Sequence, residues 1–143
     1  MIAEDEALIR LDLRETLEEE GYQVVAETSR GDEVVGLVRE HRPDLAILDI
    51  KMPGGDGLSA AAEITADRVA AVLVLTAFSQ RELIDRAREA GALAYLVKPF
   101  QRNDLVPAME LAIGRFEEMK ALEDENKDLE ERLETRKVVD RAK

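Results

Sequence analysis

Four short apolar runs, each followed at once by polar residues, constrain the fold of this chain more than any other feature. The runs at 45–48 and 72–75 are apolar at every position, which is typical of strands buried on both faces of a parallel sheet. Such sheets place their chemistry outside the carboxyl ends of the strands. We therefore expect one edge of the sheet to collect the polar residues that end these runs: Glu4, Asp5, Asp49, Thr76 and Lys98.

Strand-like and helix-like segments alternate along the chain, which favours βα units on a parallel sheet. Strands are predicted at 1–3, 22–28, 45–49, 71–76 and 94–97, and helices at 6–20, 30–41, 58–67, 80–90 and from 101 toward the C-terminus. Gly21, Pro43 and Gly91 mark ends of the first, second and fourth helices. The segment 50–57, which contains Pro53 and three glycines, is predicted to be a loop whose backbone can approach a ligand closely.

Composition excludes several classes of function. The 143 residues include no cysteine and a single histidine, so thiolate catalysis, a cysteine-bound zinc and a histidine-based triad are not available. The formal net charge of −12 opposes binding of a phosphate backbone by the chain as a whole. Because no apolar stretch approaches the roughly 18 residues of a membrane span, we expect a cytoplasmic protein with no membrane partner.

The predicted cluster of acids favours a magnesium site. Carboxylates gathered at strand ends repel one another unless a cation intervenes, and Mg²⁺ prefers a few carboxylates together with water and phosphate oxygens. Asp49 is the candidate nucleophile, because its carboxylate could accept a phosphoryl group as an acyl phosphate. The alternative for Glu4 and Asp5 is stabilisation of the start of the first helix.

Two further residues would contact a bound phosphoryl group. Lys98 ends a buried strand, where an ammonium needs an anionic partner such as Asp49 or its phosphate. Thr76 could donate its hydroxyl to a phosphoryl oxygen, although threonine is also common in strands for packing reasons. Pro99 makes the Lys98-Pro99 bond a candidate cis peptide, with an ordinary strand-ending proline as the alternative.

Over residues 1–116 the chain resembles the response regulator receiver domain of two-component signalling. The motifs that carry the resemblance are Glu4-Asp5-Glu6, Leu48-Asp49, Met52-Pro53, Asp56-Gly57, Thr76-Ala77 and Lys98-Pro99-Phe100. The resemblance implies an α/β fold, a doubly wound five-stranded parallel sheet of flavodoxin-like order 2-1-3-4-5. It also implies phosphoryl transfer from a sensor histidine kinase, which would make the chain a phosphoacceptor switch and not a metabolic enzyme.

The resemblance also implies individual roles. Asp49 would be the phosphoacceptor, Asp5 a direct Mg²⁺ ligand with Glu4 beside it, and the Lys51 carbonyl a further ligand. Thr76 and Lys98 would contact the phosphoryl group, and Tyr95 would turn inward with Thr76 as the switch aromatic, with an ordinary core aromatic as its alternative. The chain departs from the family at Glu4, where aspartate is usual, and in its short first strand, which suggests residues preceding Met1.

Residues 117–143 are predicted to form a helical linker. Within it, residues 129–142 resemble the opening of an ANTAR domain, an RNA-binding antiterminator module, so RNA binding is implied for a longer parent protein that carries the rest of the module. A heptad-like stripe at 119, 122, 126, 129 and 133 suggests a monomer or a weak, antiparallel dimer. The alternative is a solvated helix without a partner.

Two other functions remain open from the sequence. A Mg²⁺-dependent phosphohydrolase could use Asp49 as its nucleophile, but Lys51 stands where such an enzyme needs an acid two residues on. A receiver-shaped binding module could work without any phosphate. Incubation with acetyl phosphate and Mg²⁺ separates the second function from a phosphoacceptor.

Overall fold

The structure is a computed structural model that describes residues 1–77 and 81–142, with the backbone alone for residue 81 and residues 125–142. Within these residues a five-stranded parallel sheet has the order β2-β1-β3-β4-β5. The strands are β1 (Ile2–Ala3), β2 (Glu27–Thr28), β3 (Leu45–Asp49), β4 (Ala71–Thr76) and β5 (Ala94–Val97). The predicted doubly wound topology is thus confirmed.

Helices alternate with the strands and cover both faces of the sheet. They are α1 (Ala7–Glu19), α2 (Val34–His41), α3 (Gly57–Asp67), α4 (Arg81–Glu89) and α5 (Arg102–Ala142). Helices α2 and α3 pack on one face around Val34, Val38 and Ile64. Helices α1 and α5 pack on the other face around Leu13 and Met109.

The two central strands β3 and β4 are buried throughout, as their uninterrupted apolar sequences predict. Alternate residues of each strand face opposite cores: Leu48 and Val74 face α2 and α3, whereas Ile47 and Leu73 face α1 and α5. Truncation of a fully buried leucine such as Leu73 to alanine is expected to cost about 2–5 kcal/mol. These strands form the rigid support on which the polar residues at their ends are held.

Among the described residues, two predicted elements differ from the structure by more than one residue at an end. The second strand is confined to Glu27–Thr28 instead of 22–28, because β1 offers it only Ile2 and Ala3 as pairing partners. The helix predicted at 30–41 is divided into a 3₁₀ turn at Gly31–Glu33 and α2, which ends at His41 and is capped by Arg42 in the left-handed conformation. The predicted start of the fourth helix at residue 80 lies outside the described residues.

Helix α5 extends well past the sheet. Its 41 residues correspond to roughly 60 Å at 1.5 Å per residue. Its first turns pack in the core through Leu105, Met109 and Ala112. Farther along, the Arg115 guanidinium donates to the Leu93 carbonyl at 2.8 Å, and Arg68 forms an ion pair with Glu123 at 2.8 Å. In the described part of the chain, no helix has both the length and the apolar character needed to cross a membrane.

Candidate functional site

The carboxyl ends of four strands bring the predicted site residues to one edge of the sheet. Glu4 follows β1, Asp49 ends β3 and Thr76 ends β4. Lys98 directly follows β5. In-register pairing of β1 with β3 and of β3 with β4 keeps these ends level, so residues far apart in sequence become neighbours.

Lys98 is the centre of the cluster. Its Nζ donates to Asp49 Oδ2 at 2.9 Å and lies 2.8 Å from Glu4 Oε2 in an ion pair. Its side chain is only 13% exposed, so both ion pairs are shielded from solvent. Burial alone would lower the pKa of Lys98, but the hydrogen bonds to Glu4 and Asp49 outweigh that effect and raise it.

Glu4 is a fully buried carboxylate. Its residue is 0% exposed, Oε1 accepts a hydrogen bond from the Glu6 amide at 3.2 Å, and Oε2 faces Lys98. Burial raises the pKa of Glu4 to about 7, even though Lys98 and the Glu6 amide favour the charged form. The nearby Asp49 carboxylate acts in the same direction as burial, by charge repulsion.

Asp49 lies at the floor of the site and is 6% exposed. Its Oδ2 receives the hydrogen bond from Lys98, while the Lys51 amide approaches Oδ1 at 3.4 Å. The following loop is held close to the strand, since the Gly57 amide donates to the Ile50 carbonyl at 2.9 Å. A Cβ atom on Gly57 would lie 2.0 Å from the Asp49 carbonyl oxygen, so this approach requires glycine.

Three acids could share a cation at this edge. One carboxylate oxygen from each of Glu4, Asp5 and Asp49 lies within 4.8 Å of the other two, and Asp5 is exposed to solvent. Three carboxyl groups gather around the single ammonium of Lys98, so a further cation would be favoured whenever all three are ionised. All the donors are hard oxygens, so the residues present fit Mg²⁺.

Thr76 and Tyr95 occupy different environments. Thr76 is 3% exposed and its carbonyl accepts the Lys98 amide at 2.7 Å, whereas Tyr95 is 46% exposed on the surface of β5. The resemblance implies that Tyr95 turns inward together with Thr76. Such a rotation would bury the Tyr95 side chain, which is exposed in this structure. The Lys98-Pro99 peptide bond is cis.

A cavity of about 190 Å³ opens onto these groups. Its walls include Asp5, Asp49, Lys51, Thr76 and Lys98, so five predicted site residues face one space. A larger cavity of about 620 Å³ lies at the opposite edge of the sheet, next to Pro43 and Leu45, and includes none of these five. The smaller cavity is therefore the one that can admit a phosphoryl group to Asp49.

The segment from the end of β2 to α2 also contributes to the site, through residues that no sequence motif predicts. The Thr28 carbonyl accepts the Glu4 amide at 3.0 Å, and the Gly31 amide donates to the Pro53 carbonyl at 2.9 Å. Neither residue carries a charge or a recognisable spacing, so nothing in the sequence assigns them to the site. Their proximity depends on the sheet order, which places β2 beside β1.

The fold and the site together define a class of protein. The chain belongs to the response regulator receiver domain family, whose pattern it matches over residues 1–110. It is 62% identical over 143 residues to the transcriptional regulatory protein PdtaR of Mycobacterium tuberculosis, covering 100% of this chain and 70% of that protein.

Smaller relatives are similar to the receiver part. The chemotaxis protein CheY of Bacillus subtilis is 36% identical over 110 residues, which cover 76% of this chain and 92% of CheY. Among solved structures, the signal receiver domain of the response regulator NarL from Mycobacterium tuberculosis superposes with a TM-score of 0.75 at 30% identity, covering 79% of this chain and 93% of that one. The chain is thus a response regulator receiver domain with a helical extension.

Proposed function

We propose that Asp49 accepts a phosphoryl group from a sensor histidine kinase, with Mg²⁺ held at the neighbouring acids. The observation that carries the proposal is the position of Lys98, which lines the cavity together with Asp49 and whose ammonium contacts both Asp49 and the buried Glu4. A buried ammonium between two carboxylates is well placed to stabilise additional negative charge when one carboxylate becomes an acyl phosphate. The family supports the same function.

The transfer replaces one phosphorus bond with another. A carboxylate oxygen of Asp49 attacks the phosphorus of the phosphohistidine, a P–O bond forms, and the P–N bond breaks with its electron pair going to the imidazole nitrogen. Lys98 stays within reach of the new phosphoryl oxygens, and Thr76, which lines the same cavity, would donate its hydroxyl to one of them. Phosphoryl transfer depends mainly on positioning and electrostatics, which these residues supply.

Asp5, Asp49, the Lys51 carbonyl and, through water, Glu4 are the groups that would hold Mg²⁺. When bound, the ion offsets the charge of the transferring phosphoryl oxygens. Glu4 is a less direct ligand than Asp5, because its Oε2 already pairs with Lys98 and its residue is fully buried. Asp5, which is exposed, remains accessible to a hydrated cation.

The signal would pass along α5 to an RNA-directed output. Helix α5 continues beyond the receiver part, taken as residues 1–116, into the linker at 117–143. Two observations support the output: the resemblance of residues 129–142 to the start of an ANTAR module, and 62% identity with a protein named as a transcriptional regulator. The side chains of residues 126, 129 and 133, which would form much of the predicted dimer stripe, lie outside the described ones.

Incubation with acetyl phosphate tests the central step. With Mg²⁺, intact-mass spectrometry should show a gain of one phosphoryl group on the wild-type chain. The gain should disappear in Asp49→Asn, which keeps the shape of the side chain but removes the nucleophilic carboxylate. Wild-type protein that gains no mass under these conditions would favour a binding module that works without phosphate.

A further inference from the structure

The segment from Thr28 to Glu33, here called the 28–33 loop, contacts the site from two sides. At one end the Thr28 carbonyl accepts the amide of Glu4 at 3.0 Å. Near its middle the Gly31 amide donates to the Pro53 carbonyl at 2.9 Å. The 28–33 loop therefore connects the end of β1 to the loop that follows Asp49.

Internal hydrogen bonds hold the 28–33 loop in shape. The Thr28 hydroxyl is the centre of these bonds: it accepts the Arg30 amide at 3.1 Å and donates to Glu33 Oε2 at 2.6 Å. Thr28 is 6% exposed, so water competes little for these bonds. Because these hydrogen bonds fix its conformation, the 28–33 loop can hold the loop that follows Asp49 in position.

Gly31 contacts the β3–α3 loop so closely that no side chain fits. It is buried, and a Cβ atom added to it would lie 2.1 Å from the Gly55 carbonyl oxygen and 2.6 Å from the Gly55 carbonyl carbon. Both atoms belong to backbone, so rotation of a side chain cannot relieve the overlap. Any larger residue at position 31 must displace the loop that contains Gly55.

The displaced loop is the one that carries Lys51. Its base is fixed by the Gly57 amide, which donates to the Ile50 carbonyl at 2.9 Å, and its far side is fixed by the bond from Gly31 to Pro53. The Lys51 carbonyl lies in the chain between these two attachments. Its position relative to Asp49 therefore depends on both.

We propose that Gly31 is a positioning residue for the cation site, acting through Pro53 and Gly55 on the Lys51 carbonyl. The inference rests on the proposed function, because it concerns the carbonyl that would complete the Mg²⁺ ligand set. Gly31 itself contacts neither the cation nor the phosphoryl group. Residues that orient metal ligands without touching the metal typically change metal affinity by about 10- to 100-fold when they are replaced.

The test compares Gly31→Ala with Gly36→Ala in the full chain. Gly36 lies in α2, and a Cβ atom added there would meet nothing within 4 Å. Mg²⁺ affinity is measured from amide chemical-shift changes during titration of the unphosphorylated protein, and folding is checked by urea unfolding. We expect Gly31→Ala to weaken Mg²⁺ binding by about 10-fold or more, and Gly36→Ala to leave it unchanged.

A folded Gly31→Ala protein that binds Mg²⁺ as tightly as the wild type overturns the inference. If Gly31→Ala does not fold, the wild type decides: Mg²⁺ should slow hydrogen exchange of the Gly31 amide, and an unchanged exchange rate overturns the inference as well. Wild-type protein that binds no Mg²⁺ would instead contradict the proposed function itself. The two failures are therefore distinguishable.

Discussion

Lys98 Nζ lies 2.9 Å from Asp49 Oδ2, although the two residues are 49 positions apart in the chain. The contact joins the first residue after β5 to the last residue of β3, across β4, which lies between them in the sheet. On its other side Lys98 pairs with Glu4, so one ammonium connects the ends of three strands. The charge balance of the site consequently depends on this lysine.

Replacement of Lys98 by methionine should destabilise the metal-free protein. The methionine keeps most of the aliphatic chain but leaves Glu4 and Asp49 as buried acids without their cation. Removal of one partner from a buried pair costs about 3–5 kcal/mol, and the partial exposure of Lys98 lowers our expectation to about 1–3 kcal/mol. Urea unfolding in EDTA measures the loss. The same substitution at the exposed Lys120 is the control, and equal midpoints for the two variants would contradict the prediction.

Glu4 should make the metal-free protein less stable as the pH rises from about 4.5 to about 7. The pKa of Glu4 is about 7 in the folded state against 4.5 for the ordinary carboxyl, so the folded state binds the extra proton between these values. The contribution of Glu4 to the free energy of unfolding is fully present below about pH 4.5 and is lost as the pH rises to about 7. Urea midpoints across this range should decline less steeply in Glu4→Gln than in the wild type. Parallel pH profiles of the urea midpoint for Glu4→Gln and the wild type would refute the prediction. The control is Glu63→Gln, on the exposed surface of α3.

Magnesium should stabilise the unphosphorylated fold. A ligand that binds only the native state adds about 2.7 kcal/mol at 100 times its dissociation constant, so the thermal midpoint should rise with Mg²⁺ concentration. Asp5→Asn removes an exposed carboxylate from the candidate site and should reduce the rise. Asp12→Asn, on the exposed surface of α1, is the matched control. An identical rise in both variants would show that the ion binds elsewhere.

The ion pair between Arg68 and Glu123 should fasten α5 to the domain with modest energy. Its atoms are 2.8 Å apart, but the side chains are 46% and 44% exposed, so solvent and salt screen the pair. A double-mutant cycle with Arg68→Ala and Glu123→Ala should give a coupling of about 0.2–1 kcal/mol. The coupling should shrink at high salt. A coupling of zero at low salt would mean that the pair does not hold the helix.

The sheet and most of the cluster could be predicted because they follow from local patterns. Continuous apolar runs identified β3 to β5 at their observed bounds, and the order of the strands came from the family resemblance. Predicted site residues Asp49 and Lys98 meet because parallel strands end at a common edge. For Asp49 and Lys98, the local pattern of a polar residue at the end of an apolar strand is enough to predict that they lie close together.

The remaining contacts depend on tertiary approach. Glu4 and Lys98 are both predicted at this edge, but their direct ion pair requires that β1 lie beside β3, and the Gly31–Pro53 hydrogen bond requires that two loops pack at backbone distance. Neither contact has a periodicity that a sequence could display. For the same reason the second strand was predicted too long: its apolar residues are consistent with a strand, but pairing with β1 extends over two residues only.

Borohydride reduction of the phosphorylated chain tests the central claim most directly, because it converts an aspartyl phosphate into homoserine at the modified residue. After treatment with acetyl phosphate and Mg²⁺, peptide mass spectrometry should find homoserine at position 49. It should find none in protein treated without acetyl phosphate. Homoserine at another aspartate, or at none, would contradict the assignment of Asp49 as the phosphoacceptor.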